Sequence, residues 1–271
     1  QRPNATKYSR FLSELREKFE IVHFGKILAT ALKETAVTSV SATDKPNVRP
    51  PKGSFKPHFN IGIDVGIGSR NIWRGLDYGA SPSVWGDLSG SYKNFSIGAI
   101  GTTTLNGSKA QFGTWLELYA KYEFKNFSFV IDDYFFFNAL DQDNDYFEYR
   151  PQYTQHLVEA RIEYENDHIE ALVGYVVYSN RDDNTNGVYI EATYKLNKNL
   201  SFTAGGITGA QWLSFYDAGG LTTFGINGHR EVKVFGQSLL LNASLIFNPN
   251  YKNANPLVGN NPVYFVVSAE L

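Results

Sequence analysis

An alternation of apolar and polar residues with a period of two recurs along this chain from Phe55 onward, and it constrains the fold more than any other feature. Residues 111–124, QFGTWLELYAKYEF, illustrate it. The apolar set includes Phe112, Leu116, Leu118, Tyr122 and Phe124. The intervening set carries the charged residues Glu117, Lys121 and Glu123. A period of two indicates a β-strand with two unlike faces, so the sequence predicts an all-β fold.

The same alternation predicts about twelve strands. They cover residues 58–72, 82–93, 95–105, 111–124, 127–138, 153–165, 168–180, 186–197, 200–210, 223–234, 237–248 and 261–271. Short polar connections such as Lys93-Asn94 alternate with longer ones rich in Gly, Asp and Asn. Strands that run up and down a single sheet produce tight turns at one end and loops at the other. We therefore expect an antiparallel barrel, and an even strand number favours including the weakest strand, 223–234.

Composition argues against a nucleic-acid partner, a transmembrane helix and cysteine chemistry. The 271 residues include 19% charged residues and have a net charge of −2, which gives no reason to expect a nucleic-acid partner. No run of about 18 apolar residues occurs, so no transmembrane helix is expected. Cysteine is absent, which excludes disulfides and thiolate chemistry. Methionine is absent too, and because the sequence begins at Gln1 we expect a secretory signal peptide to have been removed.

A soluble β-sandwich also alternates, so the location of the apolar face must be argued. Several predicted strands have 11 to 14 residues, which exceeds the usual length of about 5–6 and suits a tilted membrane crossing. The polar faces are rich in small residues, tyrosine and charges of both signs, as a barrel interior is. The last strand also ends on an apolar residue, as in barrels whose last strand pairs with the first. We therefore expect a transmembrane barrel with Phe112, Leu116, Leu118, Tyr122 and Phe124 facing lipid.

The opposite faces predict the residues that line the lumen. The principal lumen-facing residues are expected to be Asp64, Asp87, Glu117, Lys121, Glu123, Glu159, Arg161, Glu163, Glu191 and Lys195. Glu165, Glu170, Glu231, Glu270 and Lys233 are assigned to the same surface, where acids outnumber bases. An open lumen of this kind would favour cations. Alternatively, these groups pair with one another and fill a barrel that is narrow at about twelve strands.

Residues 1–53 form a separate region from the barrel, which is predicted over 54–271. The apolar residues of segment 7–24 recur at helical spacing, which predicts an amphipathic periplasmic helix followed by a Pro-rich linker. Its docking face would be Tyr8, Phe11, Leu12, Leu15, Phe19 and Val22. Such a face needs a surface, which would be the barrel mouth, the membrane surface or another outer-membrane or periplasmic protein.

Two stretches carry a resemblance to a known family. Residues 66–105 contain a strand that leads into Trp73-Arg74-Gly75, then a loop and a strand rich in small residues. Residues 115–140 combine a Glu-x-Tyr-Ala segment with a Tyr/Phe-rich strand. Both resemble the opening hairpins of the TorF-type putative porins. The resemblance implies an outer-membrane barrel of modest size and carries no catalytic residues over, although this chain ends on Leu271 where that family typically ends on Phe.

Candidate sites for chemistry are few. Asp132-Asp133 with His156 would suit a barrel protease, but adjacent strand residues point to opposite faces. No serine lies in a recognisable esterase context beside any of the five histidines. The loops at 139–152 and 181–186 are acidic, and Asp141, Asp143 and Asp145 have the spacing of the first ligands of a calcium loop, but the Gly and the distant Glu of such a loop are missing. We expect no catalytic, cofactor or metal site.

Taken together, these features predict a protein of the bacterial outer membrane with its N-terminal segment in the periplasm. Its expected function is that of a porin-like passive channel for small solutes or ions. The alternative is a structural or accessory barrel subunit of a larger outer-membrane complex, docked through its N-terminal helix. An enzyme is not expected.

Overall fold

The computed structural model describes residues 59–106, 112–137, 145–150, 153–179, 187–211, 213–254 and 261–271. The chain divides into two units between residues 55 and 56, and only the second contains described residues. The predicted helix over 7–24, its docking face and the linker therefore lie outside the described residues. Among the described residues, no helix is long and apolar enough to cross a membrane.

The described residues contain fourteen strands and one 3-10 turn at Tyr251–Asn253. The first strands are β1 (Phe59–Gly68), β2 (Ile72–Trp73), β3 (Leu76–Asp77), β4 (Ser83–Tyr92), β5 (Phe95–Thr104), β6 (Trp115–Phe124) and β7 (Phe127–Phe136). The others are β8 (His156–Glu165), β9 (Ile169–Tyr178), β10 (Val188–Asn197), β11 (Leu200–Ile207), β12 (Gly220–Val234), β13 (Gln237–Phe247) and β14 (Val263–Glu270).

Twelve of these strands form one closed antiparallel barrel, which confirms the predicted all-β barrel architecture and its strand number. Each barrel strand pairs with its neighbours in sequence, and β1 closes the ring against β14. At this closure Gly66 lies opposite Glu270 and Gly68 lies opposite Ser268. Strands β2 and β3 form a separate small hairpin in the connection between β1 and β4. That hairpin was not among the predicted strands.

The two ends of the barrel differ, as the alternation of short and long connections predicts. Lys93 and Lys125 begin two of the tight turns in the left-handed region, with φ of 56° and 57°. The end with the tight turns is called the turn end below, and the end with the longer connections is called the loop end. The connections at the loop end include residues 69–82 and 208–219.

The outer wall of the barrel is apolar and the inner wall is largely polar. Outward positions expose large side chains, for example Ile61 at 69%, Ile63 at 59% and Phe265 at 67%. Inward positions bury polar groups such as Asp132 and Glu159, both at 0%. This is the reverse of a water-soluble barrel, whose apolar residues face inward.

One residue of the lipid-facing set was placed wrongly by the sequence pattern. Leu118, Tyr122 and Phe124 are exposed on the outer wall and Leu116 is half-buried. Phe112, however, precedes the first residue of β6 and is buried. Its ring lies 4.6 Å from that of Phe215 and packs inside the loop end. The alternation does not apply to Phe112 because β6 begins only at Trp115.

Candidate functional site: the filled lumen

The connection between β1 and β4 folds into the lumen at the loop end. The rings of Tyr78 and Trp115, which is an inward residue of β6, have centroids 5.8 Å apart. The ring centroids of Trp73 and of Tyr134 on β7 are 5.5 Å apart. The hairpin of β2 and β3 therefore reaches from the β1 side of the barrel to the wall formed by β6 and β7.

A second connection, residues 208–219, packs against this hairpin. The ring of Phe215 lies 5.7 Å from Tyr78, and Leu213 is fully buried. The two connections and the adjoining loop-end residues of the inner wall form an apolar cluster inside the barrel, called the plug here. Its buried members are Leu76, Tyr78, Phe112, Tyr134, Phe136, Leu157, Ile207, Leu213, Phe215, Tyr216 and Ala254.

Arg74 connects the plug to β8 through an ion pair with Glu159. Its Nη2 donates to Glu159 Oε2 of β8 at 2.7 Å, and both side chains are almost wholly buried. Nη1 donates to Ser214 Oγ at 3.1 Å, and the guanidinium lies 4.3 Å and 4.2 Å from the ring centroids of Trp73 and Tyr189. Burial lowers the pKa of Arg74, but the attraction and hydrogen bond of Glu159 together with the fields of Tyr134 and Tyr189 raise this pKa overall, so the guanidinium stays charged.

The backbone of Arg74 and Gly75 is held by β12 and by residues of two loop-end connections. Gly75 has a φ of 83°, and a Cβ on it would lie 2.0 Å from the carbonyl oxygen of Thr222. Tyr216 Oη donates to the Arg74 carbonyl at 3.0 Å, and Asn248 Nδ2 donates to the Gly75 carbonyl at 2.9 Å. Only glycine fits this place, because both the conformation and the approach exclude a side chain.

Below the plug, charged side chains of β6, β7 and β8 join across the inner wall. Arg161 Nη2 donates to Asp132 Oδ1 at 3.1 Å and Nη1 donates to Tyr134 Oη at 3.2 Å. The Arg161 Nε lies 3.5 Å from Glu163 Oε1, and Lys121 Nζ donates to Glu163 Oε2 at 3.2 Å. The charges in this part of the lumen are therefore largely paired.

Toward the turn end, the lumen contains a recess of about 220 Å³ with acidic walls. Glu163, Glu165, Glu170 and Glu191 line it together with Lys121. Lys195 Nζ lies 2.8 Å from Glu165 Oε1 and 2.5 Å from Glu170 Oε1 at its margin. Polar space thus remains below the plug.

The structure distributes the ten predicted lumen residues among these regions. Glu159 holds the plug, and Glu117, Arg161, Glu163 and Lys121 belong to the charged layer. Glu191 and Lys195 lie around the recess. On the other side of the barrel Asp64 lies opposite Asp87 in register, and Tyr119 Oη donates to Asp87 at 3.2 Å. Glu123 is exposed near the turn end.

Asp132 and Asp133 lie on opposite faces. Asp132 points inward to Arg161, whereas Asp133 lies on the outer wall, where its Oδ1 is 2.8 Å from His156 Nδ1. Residues 145–150 cover this pair from outside. The Tyr146 carbonyl accepts from His156 Nε2 at 2.6 Å, and Tyr149 stacks on the imidazole at 4.0 Å. Through these contacts the Asp133–His156 pair holds residues 145–150 on the outer wall.

Sequence reasoning missed several residues that fill the lumen at the loop end. Arg74, Tyr189, Gln211 and Asp132 were not assigned to the site, and Trp73-Arg74-Gly75 was noticed only for its resemblance to a family. The connection 69–82 carries Arg70, Arg74 and Asp77, and its sequence offers no signal that distinguishes the arginine in the lumen from the other one. Among the described residues, no group of three or more His, Asp or Glu is placed to hold a metal ion.

Comparison with known proteins adds no assignment. No protein-family model matches the chain. No curated protein matches it either.

Proposed function

We propose that this protein spans the outer membrane of a Gram-negative bacterium as a twelve-stranded barrel. The observation that carries the proposal is the exposed apolar outer wall. Soluble monomers rarely expose contiguous apolar patches beyond a few hundred Å². Here the exposed residues recur on every barrel strand, including Leu88 at 56% and Val177 at 53%. The resemblance to the TorF-type putative porins supports the same location.

Closure of the sheet supports the same proposal. Lipid offers no partner to backbone N–H and C=O groups, so only a sheet without free edges is viable in the hydrocarbon layer. Aromatic residues also lie beside the tight turns, including Tyr92, Phe95, Phe124 and Phe127, all of them exposed. Such a girdle is typical of the membrane boundary.

The test of membrane insertion uses the full chain recovered from cell envelopes. We expect it to require detergent for solubility and to migrate faster on a gel before heating than after heating. The matched variant is Leu118→Arg, which places a charge on the outer wall and should lower the heat-modifiable fraction. Full solubility of the folded chain without detergent would exclude the proposal.

Within the membrane, we propose that the barrel is a non-conducting structural subunit of an outer-membrane assembly. The plug supports this, because the buried Arg74–Glu159 ion pair holds the β1–β4 connection against β8 inside a narrow barrel, beside a buried apolar cluster. Small barrels are usually filled by side chains and only wider ones enclose channels. A solute would have to displace a buried ion pair and the cluster to pass.

A passive channel is the second candidate, and one observation favours it. The recess of about 220 Å³ and its acidic lining remain polar below the plug, as a vestibule for cations would be. Swelling of proteoliposomes in small sugars and in salts separates the two candidates. The structural proposal expects no swelling above that of protein-free vesicles, whereas swelling at the level of a porin of known activity would favour the channel.

A further inference from the structure

A row of four hydrogen-bonded side chains crosses the inner wall from β11 to β14. Ser201 Oγ lies 3.2 Å from His229 Nε2, and His229 Nδ1 lies 3.0 Å from Asn242 Oδ1. Asn242 Nδ2 in turn donates to Glu270 Oε1 at 3.2 Å. The four residues belong to four consecutive strands, so their spacing along the sequence does not reveal the row.

The pairing of the strands fixes the positions of these side chains. His229 lies directly opposite Asn242. Ser201 lies opposite Asn227, two residues before His229, so Ser201 and His229 are diagonal neighbours on the inward face. The backbone amide of His229 also donates to the Asn199 carbonyl at 2.9 Å. Side chains that are held on paired strands keep their relative geometry better than side chains on loops.

The hydrogen bonds determine which nitrogen of the imidazole carries the proton. The amide nitrogen of Asn242 faces the Glu270 carboxylate, which accepts, so Asn242 Oδ1 faces His229. His229 Nδ1 therefore donates to Oδ1, and Nε2 offers its lone pair to the hydroxyl of Ser201. A nucleophile in contact with a base, and a base oriented by a third group, is the arrangement that activates serine for acyl transfer.

Asn227 places an amide donor beside the same hydroxyl. Its Nδ2 lies 3.5 Å from Ser201 Oγ and donates to Thr203 Oγ1 at 3.0 Å. When a carbonyl carbon bonds to Ser201 Oγ, the negative oxygen on that carbon comes within reach of this amide. Amide donors in such a position stabilise the tetrahedral intermediate of acyl transfer. The inner wall therefore brings together a nucleophile, a base, an orienting group and an oxyanion donor.

The surroundings of Ser201 limit which esters reach it. Ser201 is only 4% exposed, whereas His229 and Asn242 are half-buried, so only a short acyl group fits against the hydroxyl. Ser201 is the second residue of β11, which begins at a tight turn, and the plug occupies the loop end, so a substrate enters from the turn end. Glu270 and the nearby Asp64 make this part of the lumen acidic, which disfavours anionic substrates.

We propose that Ser201, His229 and Asn242 form an esterase site for uncharged or cationic esters of short-chain carboxylic acids. Ser201 Oγ attacks the ester carbonyl carbon while its proton passes to His229 Nε2. His229 then protonates the leaving oxygen, the bond from the carbon to that oxygen breaks, and the alcohol departs from an acyl-serine. Water attacks the acyl carbon and gives a proton to His229, which returns it to Ser201 Oγ as the carboxylic acid leaves. Asn242 is a positioning residue that holds the imidazole in the required tautomer.

The test uses the full chain, purified as the folded barrel in detergent. We expect a fluorophosphonate probe to label one residue, Ser201, and p-nitrophenyl acetate to be hydrolysed with saturation kinetics. Ser201→Ala should abolish both, and His229→Gln should lower kcat about 1000-fold or more. Ser96→Ala is the matched control, because Ser96 is an inward serine of β5 outside this row, and it should retain both.

The role of Asn242 distinguishes catalysis from a row of purely structural hydrogen bonds. Asn242→Leu should lower kcat about 100-fold with KM within about threefold of the wild type. Asn242→Asp/Glu270→Gln should restore most of the activity, because the aspartate accepts from His229 Nδ1 and the glutamine amide donates to the aspartate. Every variant should keep the heat-modifiable migration of the wild type.

Labelling of a different residue, no labelling of the wild type, or hydrolysis that survives Ser201→Ala would each overturn the proposal. Hydrolysis of p-nitrophenyl octanoate should be at least about tenfold slower than that of the acetate, and equal rates would overturn the assigned substrate class. This inference does not rest on membrane insertion or on a closed lumen. Its failure would leave the proposed function intact, because that function rests on the outer wall and the plug.

Discussion

Arg74 Nη2 donates a 2.7 Å hydrogen bond to Glu159 Oε2 across the lumen, between positions 85 residues apart in sequence. Arg74 enters from the connection after β1, and Glu159 lies on β8, which is five strands from β1 in one direction around the ring and seven in the other. The bond therefore anchors the β1–β4 connection to a strand on the far side of the ring from β1. It is the contact by which the plug differs from an ordinary surface loop.

Removing one partner of this pair should destabilise the barrel strongly. Arg74→Ala leaves the Glu159 carboxylate buried without its cation, and breaking such a pair typically costs about 3–5 kcal/mol. We expect this loss in reversible urea unfolding of the barrel in lipid vesicles. The double variant Arg74→Gln/Glu159→Gln removes both charges and should lose less. Equal losses for the single and double variants would mean that the charge is not the cause.

Arg150→Ala provides the control for that experiment. Arg150 also pairs with a carboxylate, that of Glu148, but both partners lie in an exposed segment. Exposed ion pairs contribute little because water and salt screen them. No measurable change in unfolding is expected, and a loss comparable to that of Arg74→Ala would contradict our account of burial.

Gly75→Ala should disturb the packing of the plug against Thr222 while leaving the strands intact. The new Cβ would meet the Thr222 carbonyl oxygen at 2.0 Å in a left-handed backbone, which costs at least about 2 kcal/mol. Gly101→Ala on β5 is the matched control, since no atom lies within 4 Å of its added Cβ. Urea unfolding and the fluorescence of the tryptophans check this. A large effect of Gly101→Ala, or none of Gly75→Ala, would refute the close approach.

The orientation of β6 is tested by two arginine variants at adjacent positions. Leu118→Arg places a charge on the outer wall, near the middle of the proposed membrane span, and should cost about 2–4 kcal/mol. Tyr119→Arg points inward beside the Asp87 carboxylate, with which Tyr119 already bonds, and should cost less. Barrel assembly in vesicles compares them. The reverse order would show that the two faces of the strand are inverted.

The outer-wall pair predicts a further difference between single and double variants. His156→Leu leaves Asp133 on the apolar outer wall with only its bond from Tyr149 Oη, whereas Asp133→Leu/His156→Leu leaves no unpaired charge. We expect the single variant to unfold at clearly lower urea than the double variant. Near-ultraviolet circular dichroism should also report loss of the Tyr149 stack in the single variant. Identical behaviour of the two variants would exclude this role for the pair.

The sequence allowed the wall of the barrel to be predicted but not its contents. Strand positions follow from the period of two, which is local, and the tight turns at Lys93 and Lys125 identify one end. The plug depends on contacts such as that between Arg74 and Glu159, which no local pattern encodes. The connection between β1 and β4 has no period, so nothing in it indicates that it folds inward.

The same limit affected individual residues of the predicted site. Alternation alone predicts that Glu117→Arg costs little, because it places the arginine in a wet lumen. The structure buries Glu117 and places Asp132 and Arg161 beside it, so a second guanidinium there would face repulsion and loss of solvent. His156 lies on an otherwise apolar face, and its partner Asp133 became evident only from the pairing of β7 with β8.

Recording the conductance of the full chain in a planar lipid bilayer tests the central claim most directly. We expect no stepwise openings from the wild-type barrel, and openings in the presence of Arg74→Gln/Glu159→Gln, because that variant releases the plug without stranding a charge. Leu118→Arg should insert poorly and provides the control for incomplete assembly. Stable, porin-sized conductance steps from the wild-type barrel at low voltage would contradict the claim that the plug closes its lumen.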